Sequence, residues 1–375
     1  MTSPIDVGIL GATGVVGQQL ASLLDGHPWF RLSWVAASER SAGRRYGDLP
    51  WRLPGLVPAT AARLTVSPLD PDNAPVILFS ALDAGVAGEA ETAFARSGRI
   101  VVSNARNHRL DPLVPLVIPE VNAGHLSLLD AQRRERGWSG AIVTNPNCST
   151  VFVAMVLAAL DGFQPSRALV TTLQAVSGAG HPGVSALDIL GNVIPFIPGE
   201  EEKIERETRK ILGRLDNGGV ADAAMVLSAQ TTRVAVHDGH TALMSIALDR
   251  TPSIEEVADA LARFRGDAEV SALPSAPAAP IVVATGHDRP QPRLDAWTSG
   301  GMAVTCGRLR RCPVLGYKLV ALGHNAIRGA AGAALLNAEL LVSRERRLRA
   351  TQAEAVAWPA EARAMDPLPG TLSPV

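Results

Sequence analysis

The segment Thr144-Asn145-Pro146-Asn147-Cys148-Ser149-Thr150 stands directly before an apolar run over 151–160. Polar, cap-forming residues followed by an unbroken apolar stretch predict a buried helix whose first turn carries Cys148. At a helix N-terminus the partial positive charge favours a thiolate and lowers a pKa that starts near ~8.5, which makes the sulfur a nucleophile. A lone cysteine in an apolar chain is more often an inert core residue. The Asn-Pro-Asn frame and the helix start single out Cys148 from Cys306 and Cys312.

Two further groups could serve such a nucleophile. Arg233 and His240 flank Asp238-Gly239, a dipeptide that predicts a tight hairpin pairing His237 with His240. Alternation along strands would then put Arg233, Ala235 and His237 on the face that carries His240. A guanidinium and an imidazole on one face can clamp a carboxylate and shuttle a proton, with the small Ala235 leaving room for a ligand. The acidic run Gly199-Glu200-Glu201-Glu202-Lys203 opens a segment of helical composition reaching 211. Acidic residues in a first turn suit the helix dipole without any further role. Residues two apart on a helix point about 200° apart, so Glu201 and Lys203 can share a substrate only if the helix begins after one of them.

A cofactor site is suggested at the other end of the chain. Gly11, Gly14 and Gly17 are spaced by two residues between a strand-like and a helix-like run, a turn whose helix N-terminus can hold a pyrophosphate. The strict G-x-G-x-x-G spacing is not present. At the end of the next strand, Ser38-Glu39-Arg40-Ser41-Ala42-Gly43-Arg44-Arg45 offers hydroxyls and guanidiniums where an NAD enzyme places a carboxylate on the ribose. That choice favours the additional phosphate of NADP, with Glu39 as the residue that opposes it.

These groups need elements to hold them. Strands at 5–10, 32–37, 76–80 and 100–103, separated by helices at 15–24 and 86–97, predict a parallel sheet covered on both faces. After Cys148, strand-like segments at 167–176, 230–236, 241–248 and 302–309 read as α+β, and a long helix at 325–342 follows. The expected fold class is α/β: an N-terminal Rossmann-like dinucleotide-binding domain plus an α+β catalytic and dimerisation domain. The domains are placed at 1–147, completed by a helix at 325–343, and at 148–324, with a tail at 344–375 that is basic at first and Pro-rich from about 352. No structure is assigned to 266–292.

Composition narrows the partners. The chain has 375 residues, 47% hydrophobic and 19% charged, with a net charge of -1, so nothing marks a nucleic-acid or anionic membrane surface. Its three cysteines suggest neither a disulfide framework nor a metal site, and no export signal or membrane-spanning run is read at the sequence level. A cytoplasmic, small-molecule enzyme is expected.

Taken together, these motifs resemble the aspartate-semialdehyde dehydrogenase family, especially its archaeal and fungal branch, over about residues 5–342. Further landmarks are 103–109, 174–180 and 325–332. The resemblance implies a cysteine that exchanges acyl phosphate, thioester and aldehyde with NADP(H). By position it implies Cys148 as nucleophile, His240 as general acid/base and Gln174 as the residue that orients the substrate. It likewise implies Arg233 on the substrate carboxylate, Glu201 on its amino group, and Arg109 with Lys203 and Asn107 on phosphate. Gly11, Thr13, Gly14, Val16, Ser38, Arg40 and Ser41 would hold NADP, with Ser177, Gly178 and Asn325 near the nicotinamide. Ala326 stands where the family more often has threonine. A malonyl-CoA reductase on the same scaffold, or a non-catalytic NADP-binding sensor, are the alternative readings. The family implies a homodimer or homotetramer.

Overall fold

The computed structural model describes residues 4–216 and 218–357. Strands β1 (Ile5–Leu10), β2 (Phe30–Ala36), β3 (Val66–Ser67), β4 (Ile77–Ser80), β5 (Ile100–Ser103) and β6 (Ala141–Thr144) form one sheet in the order β3-β2-β1-β4-β5-β6. All of its pairings are parallel. Because helices cover both faces, β4 and β6 are buried at every position and read as unbroken apolar runs. One face packs on the helix Val15–Leu23 and on the C-terminal helix through Leu20, Ala334, Leu335 and Ala338. The other packs on the helix Ala84–Arg96 through Phe94 and Ala95.

The second sheet combines β7 (Pro165–Gln174), β8 (Val193–Ile194), β11 (Val226–Val234), β12 (His240–Leu248), β13 (Ile281–Val283), β14 (Val304–Cys312) and β15 (Gly316–Gly323) in the order β13-β14-β15-β12-β7-β11-β8. Strands β9 (Arg214–Asp216) and β10 (Gly219–Ala221) form a small separate ribbon. One face of the large sheet packs on the helix Cys148–Ala159, buried from Ser149 to Leu157, and on the helices Glu200–Ile211 and Ile254–Arg263. Along the open face, Leu169, Val226 and Leu243 are exposed.

Two expectations are corrected and one unassigned region is filled in. The hairpin at 237–240 is not made, because β7 lies between β11 and β12, pairing in parallel with the first and antiparallel with the second. The connecting residues bond instead to the chain that continues β7: Val176 N–H donates to the Val236 carbonyl and Ser177 N–H to that of His237. Gly239 has φ +98°, but Asp238 is not in the left-handed region that a type I′ turn demands of both central residues. The unassigned 266–292 region contains a short helix, Ala268–Ser271, as well as β13. Finally, a π-type turn, Ile327–Ala331, leads into a helix Gly332–Ala357, which takes in the first part of the segment read as tail. The Arg-, Glu- and Ala-rich stretch after 343 has the propensity to continue a helix, and the Pro-rich remainder lies outside the described residues.

Candidate active site

The turn after β6 delivers Cys148 to the first position of its helix, capped by Asn147, whose side-chain oxygen accepts from the backbone N–H of Ser149 and of Thr150. Asn145 is pinned on both sides: it donates to Asn104 Oδ1 at 2.8 Å and accepts from Asn337 of the C-terminal helix at 2.7 Å. Behind Cys148 lies the π-type turn. A Cβ on Gly329 would stand 2.6 Å from Cys148 Cβ, so only glycine lets the turn approach.

His240 and Arg233 meet by a route other than the hairpin. Arg233 is opposite Gln174 in the β11–β7 pairing, and His240 begins β12 on the other side of β7. Ala175, the next residue of the chain, serves both: its N–H donates to His240 Nδ1 at 3.0 Å and its carbonyl accepts from Arg233 Nη1 at 2.8 Å. Gly178 sits against the pair, since a Cβ there would fall 2.7 Å from His240 Nε2 and 3.0 Å from Arg233 Nη1.

The hydrogen bond from Ala175 makes Nδ1 an acceptor, so the neutral ring carries its proton on Nε2, which is buried and has no protein partner. Burial first, then Arg233, pushes His240 down to about 3, which keeps the ring neutral.

The acidic run is a helix from Glu200, and both Glu201 and Lys203 belong to it. It is Glu200, not Glu201, that faces Cys148. Glu200 Oε1 accepts from Asn147 Nδ2 at 2.6 Å and from Gln174 Nε2 at 3.3 Å, and Oε2 accepts from Lys203 Nζ at 2.9 Å. Glu201 instead accepts from the Thr231 backbone N–H at 2.9 Å, on the β11 side. The reason is helical phase: 200 and 203, one turn apart, share a face that 201 leaves. Burial raises the Glu200 carboxyl, but Lys203, Asn147 and Gln174 outweigh it and hold it below the ordinary value.

The expectation of a ready thiolate is also corrected. Cys148 keeps some exposure, yet the protein around the sulfur and then the Glu200 carboxylate push the thiol up to about 12, against the pull of Arg109, Arg233 and Lys203. Desolvation and one anion outweigh three cations. Arg109 is buried, donates to Glu207 at 3.0 Å and to the Asn104 carbonyl at 2.6 Å, and keeps a buried Nε with no partner. Asn107 is exposed and donates to the Ala84 carbonyl; no hydrogen bond ties it to this cluster.

At the nucleotide end, Gly11 has φ +75° and lies so close to the chain after β4 that a Cβ would be 2.6 Å from the Ala81 carbonyl oxygen. Gly14 caps the helix Val15–Leu23 with no side-chain hydrogen bond of its own, which leaves that helix end available to an anion. Next to it Thr13, Ser38, Arg40, Ser41, Arg44, Leu49, Pro50 and Arg52 line a cleft of about 340 Å³. Guanidiniums with hydroxyls and no carboxylate on the lining fit a phosphorylated ribose; Glu39 is exposed and not on it. Sequence reading missed Arg52, which lies in irregular chain with no periodicity to mark it. Val16 is in the first turn of the helix, Ser177 lies in the turn after β7, and Asn325 lies between β15 and the π-type turn. Asn325 donates to Ser177 Oγ at 2.8 Å and accepts from Gly239 N–H at 2.9 Å.

Residues 6–129 match the semialdehyde dehydrogenase NAD binding domain and residues 157–328 the semialdehyde dehydrogenase dimerisation domain. An aspartate-semialdehyde dehydrogenase of Methanothermobacter thermautotrophicus is 49% identical over 343 residues, 90% of this chain and 99% of the relative. The chain belongs to the aspartate-semialdehyde dehydrogenase family. A member from Cryptococcus neoformans is 48% identical over 355 residues, covering 91% of this chain and 97% of its own. The crystal structure of the Candida albicans enzyme with NADP superposes with a TM-score of 0.84 at 39% identity, covering 92% of this chain and 99% of that one. Archaeal and fungal relatives therefore stand where the sequence motifs placed them, and the fold is the expected α/β pair of domains.

Proposed function

We infer that this chain is an NADP-dependent aspartate-β-semialdehyde dehydrogenase, which in the biosynthetic direction reduces L-aspartyl-4-phosphate to L-aspartate 4-semialdehyde and phosphate through a thioester on Cys148. The observation that carries this reading is the hydrogen-bonded cluster around the capped, half-buried Cys148: Glu200 joins Asn147, Gln174 and Lys203, Ala175 joins His240 and Arg233, and Glu207 joins Arg109 to the Asn147 backbone. Two cations suit the phosphate and a third the α-carboxylate, while Glu200 takes over from Glu201 as the partner of the α-amino group.

In the oxidative direction the Cys148 thiol adds to the aldehyde carbon and its proton passes to the carbonyl oxygen, while the three cations stabilise negative charge building on the sulfur. The Nε2–H of His240 donates a hydrogen bond to that oxygen, and the hydroxyl proton leaves to solvent as the carbon gives up its hydride. Bound NADP supplies the hydride acceptor. Gly11, Thr13, Gly14, Val16, Ser38, Arg40 and Ser41 would hold it, joined by Arg44 and Arg52 at the phosphorylated ribose, with Ser177, Gly178 and Asn325 toward the nicotinamide. Gln174, tied to Glu200, orients the acyl group. Phosphate, held by Arg109 and Lys203, then attacks the thioester and thiolate leaves. Arg109 keeps unpaired N–H donors, among them a buried Nε–H with no protein partner.

Domains at 1–147 with 325–343 and at 148–324 place the cofactor on one sheet and the substrate on the other. A homodimer formed through the open face of the second sheet accounts for exposed Leu169, Val226 and Leu243, together with Leu187, Leu190 and Phe196. Three free cysteines and an NADP-coupled reaction suit a cytoplasmic enzyme. Among the described residues no helix is long and apolar enough to cross a membrane.

The test is absorbance of NADPH on mixing the protein with L-aspartate 4-semialdehyde, NADP and phosphate. Phosphate-dependent reduction that Cys148→Ser abolishes is expected. No reduction by folded wild-type protein that binds NADP would overturn the assignment.

A further inference from the structure

The helix Glu200–Ile211 carries charged residues at 200, 203, 207 and 210, spacings that keep them on one face. Only the first two belong to the substrate cluster. Glu207 and Lys210 are 1% and 4% exposed, and groups of that kind are found so deeply buried only when their hydrogen bonds are saturated. Lys210 uses all three N–H groups, donating to the carbonyls of Arg109, Asp111 and Val114 at 2.7, 2.7 and 2.8 Å. Glu207 divides its carboxylate: Oε1 accepts from Arg109 Nη1 at 3.0 Å, and Oε2 from the Asn147 backbone N–H at 2.6 Å.

One carboxylate thus joins the guanidinium assigned to phosphate to the residue that caps the nucleophile's helix. We propose that Glu207 is a positioning residue that fixes the phosphate-binding edge of Arg109 relative to Cys148, with Lys210 holding the backbone that carries Arg109. This rests on the phosphate role of Arg109 set out above. Glu207 and the Asn104 carbonyl each take one N–H of a terminal nitrogen, which fixes the plane of the guanidinium, and its Nε–H is buried with no protein partner. Freed from Glu207, the guanidinium no longer holds one orientation beside the thioester, so phosphate binding there has to supply the ordering that the ion pair now provides and is weakened.

Glu207→Gln in the full-length protein tests this, with initial rates measured against phosphate and against semialdehyde separately at saturating NADP. The expected result is a KM for phosphate raised roughly tenfold or more, with the KM for semialdehyde changed by less than about twofold, which separates loss of phosphate positioning from general damage. In an Arg109→Leu background the same substitution raises the phosphate KM no further, because the two residues act as one unit. An unchanged phosphate KM in Glu207→Gln, where Arg109→Leu alone raises it, overturns the proposal. So does a fall in kcat and melting temperature with both KM values unchanged. Arg109→Leu without effect on phosphate instead removes the reading on which the proposal stands. If Glu207→Gln does not fold, Glu207→Asp, shorter by one methylene, is read in the same way.

Discussion

At Cys148 the competition is between burial and charge. The thiol is pushed up to about 12, and the largest charged contribution to that rise comes from Glu200, the carboxylate assigned to the substrate amino group. Two consequences follow for Glu200→Gln, one on each partner. Removing the anion lowers the thiol pKa, so iodoacetamide should alkylate Cys148 faster than in wild type at pH 7.5, and the alkylation profile should move to lower pH. The lost charge-assisted contact should also raise the semialdehyde KM by about 10- to 100-fold, corresponding to roughly 1.5–3 kcal/mol for a hydrogen bond to a charged group. Slower alkylation in the variant would show that Glu200 does not set the thiol, and an unchanged KM would remove its role toward the amino group. The same residue shows why reading of the acidic run stopped short. Three consecutive glutamates look alike in sequence, and only the phase of the helix relative to Lys203 and β11 decides which one faces inward.

At the scale of elements, the N-terminal βαβ unit and the helix carrying Cys148 were legible because each is specified locally: glycine turn, cap and apolar periodicity lie within a few neighbouring residues. The site in the second domain was not legible in the same way. Asp238-Gly239 is a strong local signal for a hairpin, but β7 inserts between β11 and β12, and this non-local pairing overrides it. Arg233 and His240 still converge, since both bond to the backbone of Ala175 rather than face each other across a turn. The π-type turn Ile327–Ala331 is a comparable case, invisible to periodicity yet packed directly behind the nucleophile. Gly329→Ala therefore tests the packing of this element. Its Cβ would lie 2.6 Å from Cys148 Cβ, so turn or cysteine must shift. A destabilisation of about 1–3 kcal/mol in urea is expected, together with a clear fall in kcat. Wild-type kcat and stability would mean that the turn is not held against Cys148.

At the scale of the whole molecule, the first sheet presents its turns and Cys148 at the carboxyl ends of its strands, as open parallel sheets generally do. The second sheet closes over them and leaves its far face uncovered. That face bears Leu169, Val226 and Leu243, and the helices on the opposite face take the place of a second layer on only one side. A second copy is the cover proposed here. Leu243→Glu should shift the protein toward monomer in light scattering at micromolar concentration, whereas an exposed Leu56→Glu should not. Equal masses for wild type and Leu243→Glu would mean that the open face is not the contact.

In the proposed reaction both sheets serve one chemical event, the transfer of an acyl group to and from Cys148, and that event can be isolated by leaving out phosphate. Enzyme mixed with semialdehyde and NADP alone should form a burst of one NADPH per Cys148 and then slow, with the aspartyl group found on the peptide containing Cys148 by mass spectrometry. Adding phosphate should discharge the thioester and restore turnover. Steady turnover at the same rate with and without phosphate, or acyl mass on any other residue, would contradict the account.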